Sequence, residues 1–221
     1  MNALLRTRGL QLRFGGVVAA DGIDFDLQAG ERLAVIGANG AGKTTFINMV
    51  TGYIKPSAGE IEFDGHRITG MHPRRIVQLG VGRSFQLPQL FLEHTVRESV
   101  ELAVAARQGR MGLFRAMHEC VDAQEIDHVL EVVGLIERQH VSCSGLPEGH
   151  RKLLDIAMAL VLRPKLLIMD EPTSGVAADE KHPLMATIMH ALAERQVTAM
   201  FVEHDVDIVE QYATQIGRAH V

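Results

Sequence analysis

The chain has 221 residues, with 22 Lys and Arg against 27 Asp and Glu and a formal net charge of −5. That balance argues against a sequence-independent nucleic-acid binder and against a polybasic membrane anchor, both of which call for a basic surface. With 47% hydrophobic and 22% charged residues, the composition is that of a globular protein able to bury about 70% of its unfolded surface without a disulfide or metal staple. The two cysteines, Cys120 and Cys143, have neither C-x-x-C nor zinc-like spacing, so a disulfide framework is not expected and a reducing cytoplasm is. The first residues lack the apolar stretch of a secretory signal, and no apolar run approaches the roughly 20 residues that cross a bilayer. If the protein works at a membrane, another chain does the crossing.

Along the chain, Leu4 to Phe14 reads as a strand followed by a Gly15-Gly16 turn, and Ile23 to Leu27 alternates as a half-buried strand does. Ile61 to Ile68 carries an Asp64-Gly65 pair between alternating segments, a hairpin signal. The front third is therefore expected to be rich in antiparallel β structure. From about Gln89 to Leu162 the apolar spacing becomes three and four, with helices over Val96 to Arg107 and Ala123 to Val133. The stretch Gln108 to Cys120 between them is patternless and reads as a loop or insertion. Leu166 to Met169 and Val197 to Val202 are short apolar runs, as in parallel strands buried on both faces.

Gly37-Ala38-Asn39-Gly40-Ala41-Gly42-Lys43-Thr44 fits G-x-x-x-x-G-K-[ST] at every fixed position. It follows an apolar run, Leu33 to Ile36, and opens through Thr45 into a helical stretch, the strand–loop–helix context that a phosphate-binding loop requires. Backbone N–H groups and the helix N-terminus would cradle the phosphates of a nucleoside triphosphate. Lys43 would reach the β- and γ-phosphates, and the Thr44 hydroxyl would ligate Mg²⁺. Leu166 to Met169 ends in Asp170 and Glu171, where ligands collect in an open parallel sheet. Asp170 is placed to hold Mg²⁺ and Glu171 to polarise an attacking water. A solvated Asp-Glu pair is the ordinary reading of such residues in isolation, and the phosphate loop upstream reverses it. His204, in Val202-Glu-His-Asp205, closes another strand expected at the same edge and could orient that water.

On these residues the chain resembles the ATP-binding cassette ATPases that power transporters, over nearly its whole length. The resemblance implies an α/β fold: a P-loop NTPase (RecA-like) core with an antiparallel β subdomain and a helical insertion subdomain. About 1–88 and 163–221 would form the core with its β subdomain, and about 89–162 the helical subdomain. Phe14 matches the aromatic that stacks on adenine, and Gln86 the glutamine that touches Mg²⁺ and relays nucleotide state. Pro172 to Asp179 takes the place of the dimer-contact loop, and His204 that of the switch histidine. Arg13 to Ala20, Gly37 to Thr45, Arg83 to Gln86 and Val202 to Asp205 look like the cassettes of bacterial branched-chain amino acid importers, as does the segment Gln108 to Cys120. The resemblance thus implies an ATPase with ATP and Mg²⁺. It would work beside integral-membrane permease subunits and a second cassette subunit, indirectly with a periplasmic binding protein, and without nucleic acid. It would sit in the cytoplasm, peripheral on the inner face of the cell membrane. A catalytically weak, nucleotide-gated subunit and an export cassette are the alternatives.

Two departures from the family pattern stand out. Where its Leu-Ser-Gly-Gly-Gln signature is expected, before a helix beginning near Arg151, this chain has Leu146-Pro147-Glu148-Gly149-His150. Pro147 lacks both hydroxyl and N–H, and Glu148 adds negative charge where the family places a phosphate. Ser142 to Gly145, upstream, reads as a loop. The second departure is the end: Gly217 to Val221 does not read as the further apolar strand of the family. A truncated C-terminus with an exposed sheet edge is the expectation.

Overall fold

A computed structural model describes residues 3–14, 17–38, 40–108 and 122–218. The Gly15-Gly16 turn, Asn39 and most of the expected insertion, 109–121, lie outside the described residues. The chain forms two compact units. The first comprises Met1–Arg83, Lys165–Glu171 and Val197–Val221, and the second Ser84–Pro164 and Pro172–Gln196. Pro172–Gln196 thus clusters with the helices, whereas reading in chain order places it with the strands.

In the first unit, β1 (Leu5–Phe14), β2 (Val17–Leu27), β4 (Ala58–Phe63) and β5 (His66–Arg67) form an antiparallel sheet in the order β2-β1-β4-β5. The β4–β5 hairpin turns on Asp64 and Gly65, whose φ values of 49° and 75° suit the expected tight turn. β2 begins six residues before the alternating segment, because its front half, Val17 to Gly22, joins the ladder to β1 without polar–apolar alternation. The ladders on both sides of β1 slip around Gly9, a bulge at which β4 comes close.

The second sheet holds β3 (Arg32–Ile36), β6 (Val81–Ser84), β7 (Leu166–Asp170), β8 (Thr198–Val202) and β9 (Gln215–Arg218), in the order β6-β7-β8-β3-β9. The pairs β7–β8, β8–β3 and β3–β9 are parallel. β7 and β8 are buried at every position, which explains their unbroken apolar runs. β9 corrects the expectation for Gly217 and Arg218, which do join a strand through main-chain pairing to β3, whereas Ala219 to Val221 lie outside the described residues. With Ile216 its one large apolar residue, half exposed, β9 leaves no periodic trace in the sequence. α1 (Lys43–Val50), α2 (Pro73–Leu79) and α7 (Val206–Tyr212) complete this unit. Its core runs from Leu5, Leu10 and Phe63 through Ile47 and Met49 of α1 to Ile168 and Met200. Phe25 and Phe46 meet edge to face at 5.4 Å.

The second unit packs α3 (Val96–Gln108), α4 (Ala123–Val132), α5 (Glu148–Leu160) and α6 (Ala178–Glu194). Each presents an apolar stripe at helical spacing, such as Val96, Val100 and Val104 on α3. Gln108 closes α3 and so is not part of a loop, and Ala178 and Asp179 open α6. Asp122 caps α4 by accepting the Gln124 N–H at 3.0 Å. Ser142 to Gly145 is not wholly irregular: Cys143–Gly145 makes one 3₁₀ turn around the buried Cys143. The helix ends are stapled by Glu125, which accepts two hydrogen bonds of 2.7 Å from Arg107 and two, of 3.1 and 3.3 Å, from Arg163. Arg107 also donates to the Val161 carbonyl at 2.6 Å, and its guanidinium holds the Glu125 carboxyl down at about 2.

Candidate nucleotide site

The phosphate loop leaves β3 at Gly37 and enters α1 at Lys43. Gly40 and Gly42 take φ values of 84° and 77°, in the left-handed region where a side chain is strained. Gly42 is the N-cap of α1, with no side chain occupying the helix's first N–H groups. Those donors therefore face the loop, the arrangement that receives an anion. Lys43 is only 6% exposed and its Nζ folds over the loop, donating to the carbonyls of Gly37 at 2.6 Å and Ala38 at 2.9 Å. A buried ammonium held by main-chain carbonyls is under-compensated, so the loop is built for an anionic guest. Thr44 is exposed and Thr45 half-buried at the start of α1. A cavity of about 340 Å³ runs along this loop, with Ala41 and Gly42 on one wall and Ile23, Phe25 and Leu33 on another. The backbone of Phe14 ends β1, paired with Val17.

The parallel register sets the other residues beside the loop. Asp170 is level with Val202 on β8, and Val202 with Val35 on β3. The C-terminal ends of all three strands therefore share one edge. Glu171, just past β7, has a φ of 49°, an unfavourable conformation for a residue with a Cβ. Its N–H donates to the Val202 carbonyl at 3.1 Å, and this bond holds the turn. The turn brings Glu171 Oε1 to 3.1 Å from His204 Nε2, with the two side chains 23% and 42% exposed. The pair is thus open to a ligand. Beside it lies a second cavity of about 710 Å³, lined by Gly37, Glu203 and His204 among others.

Arg83, on β6, was given no role by the sequence. Its Nη2 lies 3.6 Å from Asp170 Oδ2, its Nη1 donates to Asn48 Oδ1 of α1 at 2.7 Å, and its guanidinium stacks 5.5 Å over Tyr53. Burial raises the Asp170 carboxyl above its ordinary value, against the opposing pull of Arg83. Burial likewise lowers Arg83. The sequence marks Arg83 only as the first residue of the importer-like run Arg83 to Gln86, and the adjacency of β6 and β7 alone brings it to Asp170.

Among the described residues no group of three or more His, Cys, Asp or Glu could hold a metal ion. A metal caged by protein carboxylates does not fit. Mg²⁺ does, because it keeps several waters and needs one or two carboxylates beside phosphate oxygens. Asp170 and the Thr44 hydroxyl are the residues that would make up such a small donor set.

The remaining residues expected at the site belong to the second unit. Leu146 to His150 spans the start of α5, which begins three residues before the expected Arg151. Pro147 is its N-cap without a side-chain hydrogen bond, and Glu148 lies in the first turn. A Cβ on Gly175 would touch Glu148 Cγ at 3.6 Å, and one on Gly149 would touch Val176 at 4.0 Å. The structure thus places the signature-like stretch against the Pro172 to Asp179 loop. Burial and the Arg138 charge lower the His150 imidazole, with Glu180 opposing. Gln86 follows β6, and its carbonyl accepts from Lys152 Nζ at 3.0 Å. Lys152 and Asp155 of α5 were also missed, although two charges amid Leu153, Leu154 and Ile156 are a visible break in the helix pattern.

Residues 20–174 match the family described as ABC transporter. The chain is 34% identical to the high-affinity branched-chain amino acid transport ATP-binding protein BraF of Pseudomonas aeruginosa, over 96% of this chain and 86% of that protein. It is 35% identical to the corresponding protein LivG of Escherichia coli K12, over 93% and 84%. Among solved structures, the ADP conformation of an ATP-binding cassette of an ABC transporter superposes with a TM-score of 0.82, at 28% identity, over 100% of this chain and 88% of that one. With its phosphate loop, Asp170 and the Glu171–His204 pair on one sheet edge, and with this match, the chain belongs to the ABC transporter family.

Proposed function

We propose that this chain is the ATP-hydrolysing subunit that energises a membrane importer for branched-chain or other hydrophobic amino acids. The observation that carries the reading is the 3.1 Å contact between Glu171 and His204 at the strand ends beside the phosphate loop. The transport class comes from the similarity to BraF and LivG, which are branched-chain amino acid transport ATP-binding proteins. In this reading Gly37 to Thr45 wrap the phosphates, Lys43 leaves the Gly37 and Ala38 carbonyls for the β- and γ-phosphates, and Phe14 stacks on adenine. Thr44, Asp170 and Gln86 hold Mg²⁺, which would neutralise phosphate charge. Glu171 takes a proton from the water that attacks the γ-phosphorus, and His204 keeps Glu171 and that water in line. The products are ADP and phosphate.

Permease subunits provide the crossing, since no described helix is long and apolar enough to do so. Leu87, Phe91 and Leu92, exposed by 72%, 55% and 52% just after Gln86, give such a partner an apolar foothold. The protein would then sit in the cytoplasm on the inner face of the membrane, with a periplasmic binding protein as an indirect partner. Steady-state MgATP hydrolysis beside Glu171→Gln and Lys43→Ala tests the reading. Turnover lost in Glu171→Gln, with nucleotide binding kept, supports it. Turnover equal in all three chains refutes it.

The start of α5 favours a second reading of the dimer. Pro147 offers no donor and Glu148 adds charge, so a site that a partner completes with this stretch lacks one phosphate donor. By analogy with deletion of one preorganised donor, turnover there falls about 100- to 1000-fold. A heterodimer, whose other subunit brings a serine-bearing signature to this chain's own site, accommodates that loss. Pro147→Ser with Glu148→Gly should raise turnover of the chain alone. No gain would favour a tolerated signature in a homodimer.

A further inference from the structure

Two α5 residues outside the expected site grip the segment that carries Gln86. Lys152, 4% exposed, donates from Nζ to the Gln86 carbonyl at 3.0 Å. Asp155 accepts the Ser84 hydroxyl at 2.5 Å and the Phe85 N–H. One residue after another, Ser84, Phe85 and Gln86 are thus held by two side chains three apart on one face of a helix. We propose that Lys152 and Asp155 are positioning residues that fix the main chain of Ser84 to Gln86 and thereby aim the Gln86 side chain.

The chemistry of the pair argues for this role over packing. Both charges sit on the helix face that also carries the buried Ile156 and Ala159. Apolar residues there would fill the same space without desolvating an ammonium and a carboxylate. What apolar residues could not do is supply an acceptor to Ser84 and Phe85 and a donor to Gln86. β6 ends at Ser84, so the sheet no longer dictates the main chain beyond it. The two side chains take over at the residue where the ladder stops. A one-residue rotation of the backbone there would swing the Gln86 side chain to the opposite side, which is why a hold on consecutive residues matters.

The inference rests on the reading of Gln86 as a Mg²⁺ contact, and the test separates the two. The affinity of the full chain for a fluorescent ATP analogue is measured in Mg²⁺ and in EDTA, beside hydrogen–deuterium exchange over 84–92. Asp155→Ala and Lys152→Met should reduce the gain in affinity that Mg²⁺ confers by about threefold to tenfold, leaving the EDTA affinity unchanged. Asp155→Asn, which keeps an acceptor oxygen for the Phe85 N–H and presents an NH₂ to the Ser84 hydroxyl oxygen, should restore it. Asp155→Ala combined with Gln86→Ala should be no worse than Gln86→Ala, because the one residue acts through the other. Exchange over 84–92 should rise in Asp155→Ala and not in Asp155→Asn. Equal losses in Mg²⁺ and EDTA, or additive losses in the double variant, would overturn the proposal. If Gln86→Ala itself leaves the Mg²⁺ gain intact, the Gln86 reading fails, and the exchange data then decide the positioning role alone: raised exchange supports it and unchanged exchange overturns it. Should Asp155→Ala not fold, Ser84→Ala carries the same comparisons.

Discussion

The substitution Asp155→Asn should make the protein more stable at neutral pH and leave it unchanged near pH 4. Asp155 is half-buried, and burial pushes its carboxyl up to about 6 from an ordinary 3.8 despite the Ser84 and Phe85 hydrogen bonds and the Lys152 charge. A raised carboxyl binds protons more tightly in the folded chain than in the unfolded one. Stability from this group is therefore greatest below pH 3.8 and falls as pH rises towards 6. A difference of about two pH units corresponds to about 3 kcal/mol of cost carried by the ionised form at pH 7. The neutral amide escapes that cost, which is already net of the Lys152 attraction, but its one oxygen and NH₂ group fit the Ser84 and Phe85 donors less well, a loss of about 1–2 kcal/mol. The net gain expected at pH 7.5 is about 1–2 kcal/mol, a rise in Tm of about 2–8 °C for a chain of this size. Urea unfolding of both proteins at half-unit steps from pH 4 to 8 measures it, with the two stabilities converging at the acid end. A difference independent of pH, or a variant less stable at pH 7.5, would refute the reasoning. A gain would also mean that the natural residue sits there at the expense of stability, as functional positions often do.

Three further substitutions probe the scaffold. Glu125→Gln should remove the acid limb that this carboxyl contributes: its folded value is lowered to about 2, so its support is present above pH 4.5 and is lost as pH falls towards 2. Discounted for partial solvent screening, about 1–2 kcal/mol at pH 7 should disappear in the variant, read by unfolding at pH 7 and pH 3. Gly59→Ala should cost about 2–4 kcal/mol in denaturant unfolding, because Gly59 has a φ of 86° and a Cβ there would meet the Gly9 carbonyl oxygen at 2.3 Å. Arg83→Lys keeps the charge, yet a single ammonium cannot span Asp170, Asn48 and the Tyr53 ring. It should lower stability by about 1–2 kcal/mol, whereas a change within about 0.3 kcal/mol would mean that the charge alone suffices.

Local chemistry made part of this protein legible from sequence. Gly37 to Thr44 announces itself because a loop that must take φ near 80° at Gly40 and Gly42 and place a lysine at a helix start has few alternatives. The Asp64-Gly65 turn and the unbroken apolar runs of β7 and β8 are legible for the same reason: turn dihedrals and two-sided burial each restrict residue type. β9 was not legible, since its pairing is made of main-chain bonds that any residues supply.

The site divides in the same way. Asp170, Glu171 and His204 could be named from strand-end position, but the 3.1 Å contact exists only because parallel register levels Asp170 with Val202 and because Glu171 adopts a left-handed turn. Arg83 reaches Asp170 across 87 positions of chain, and Asp155 reaches Ser84 across 71, separations over which sequence periodicity carries no information. Local backbone preference and burial pattern are written residue by residue, and the sequence by itself determined the loop, the strands and the chemistry available. Which charges face one another depends on strand order and helix packing, so the tertiary structure alone decided that Arg83 would hold Asp170 and that α5 would hold the segment leading to Gln86.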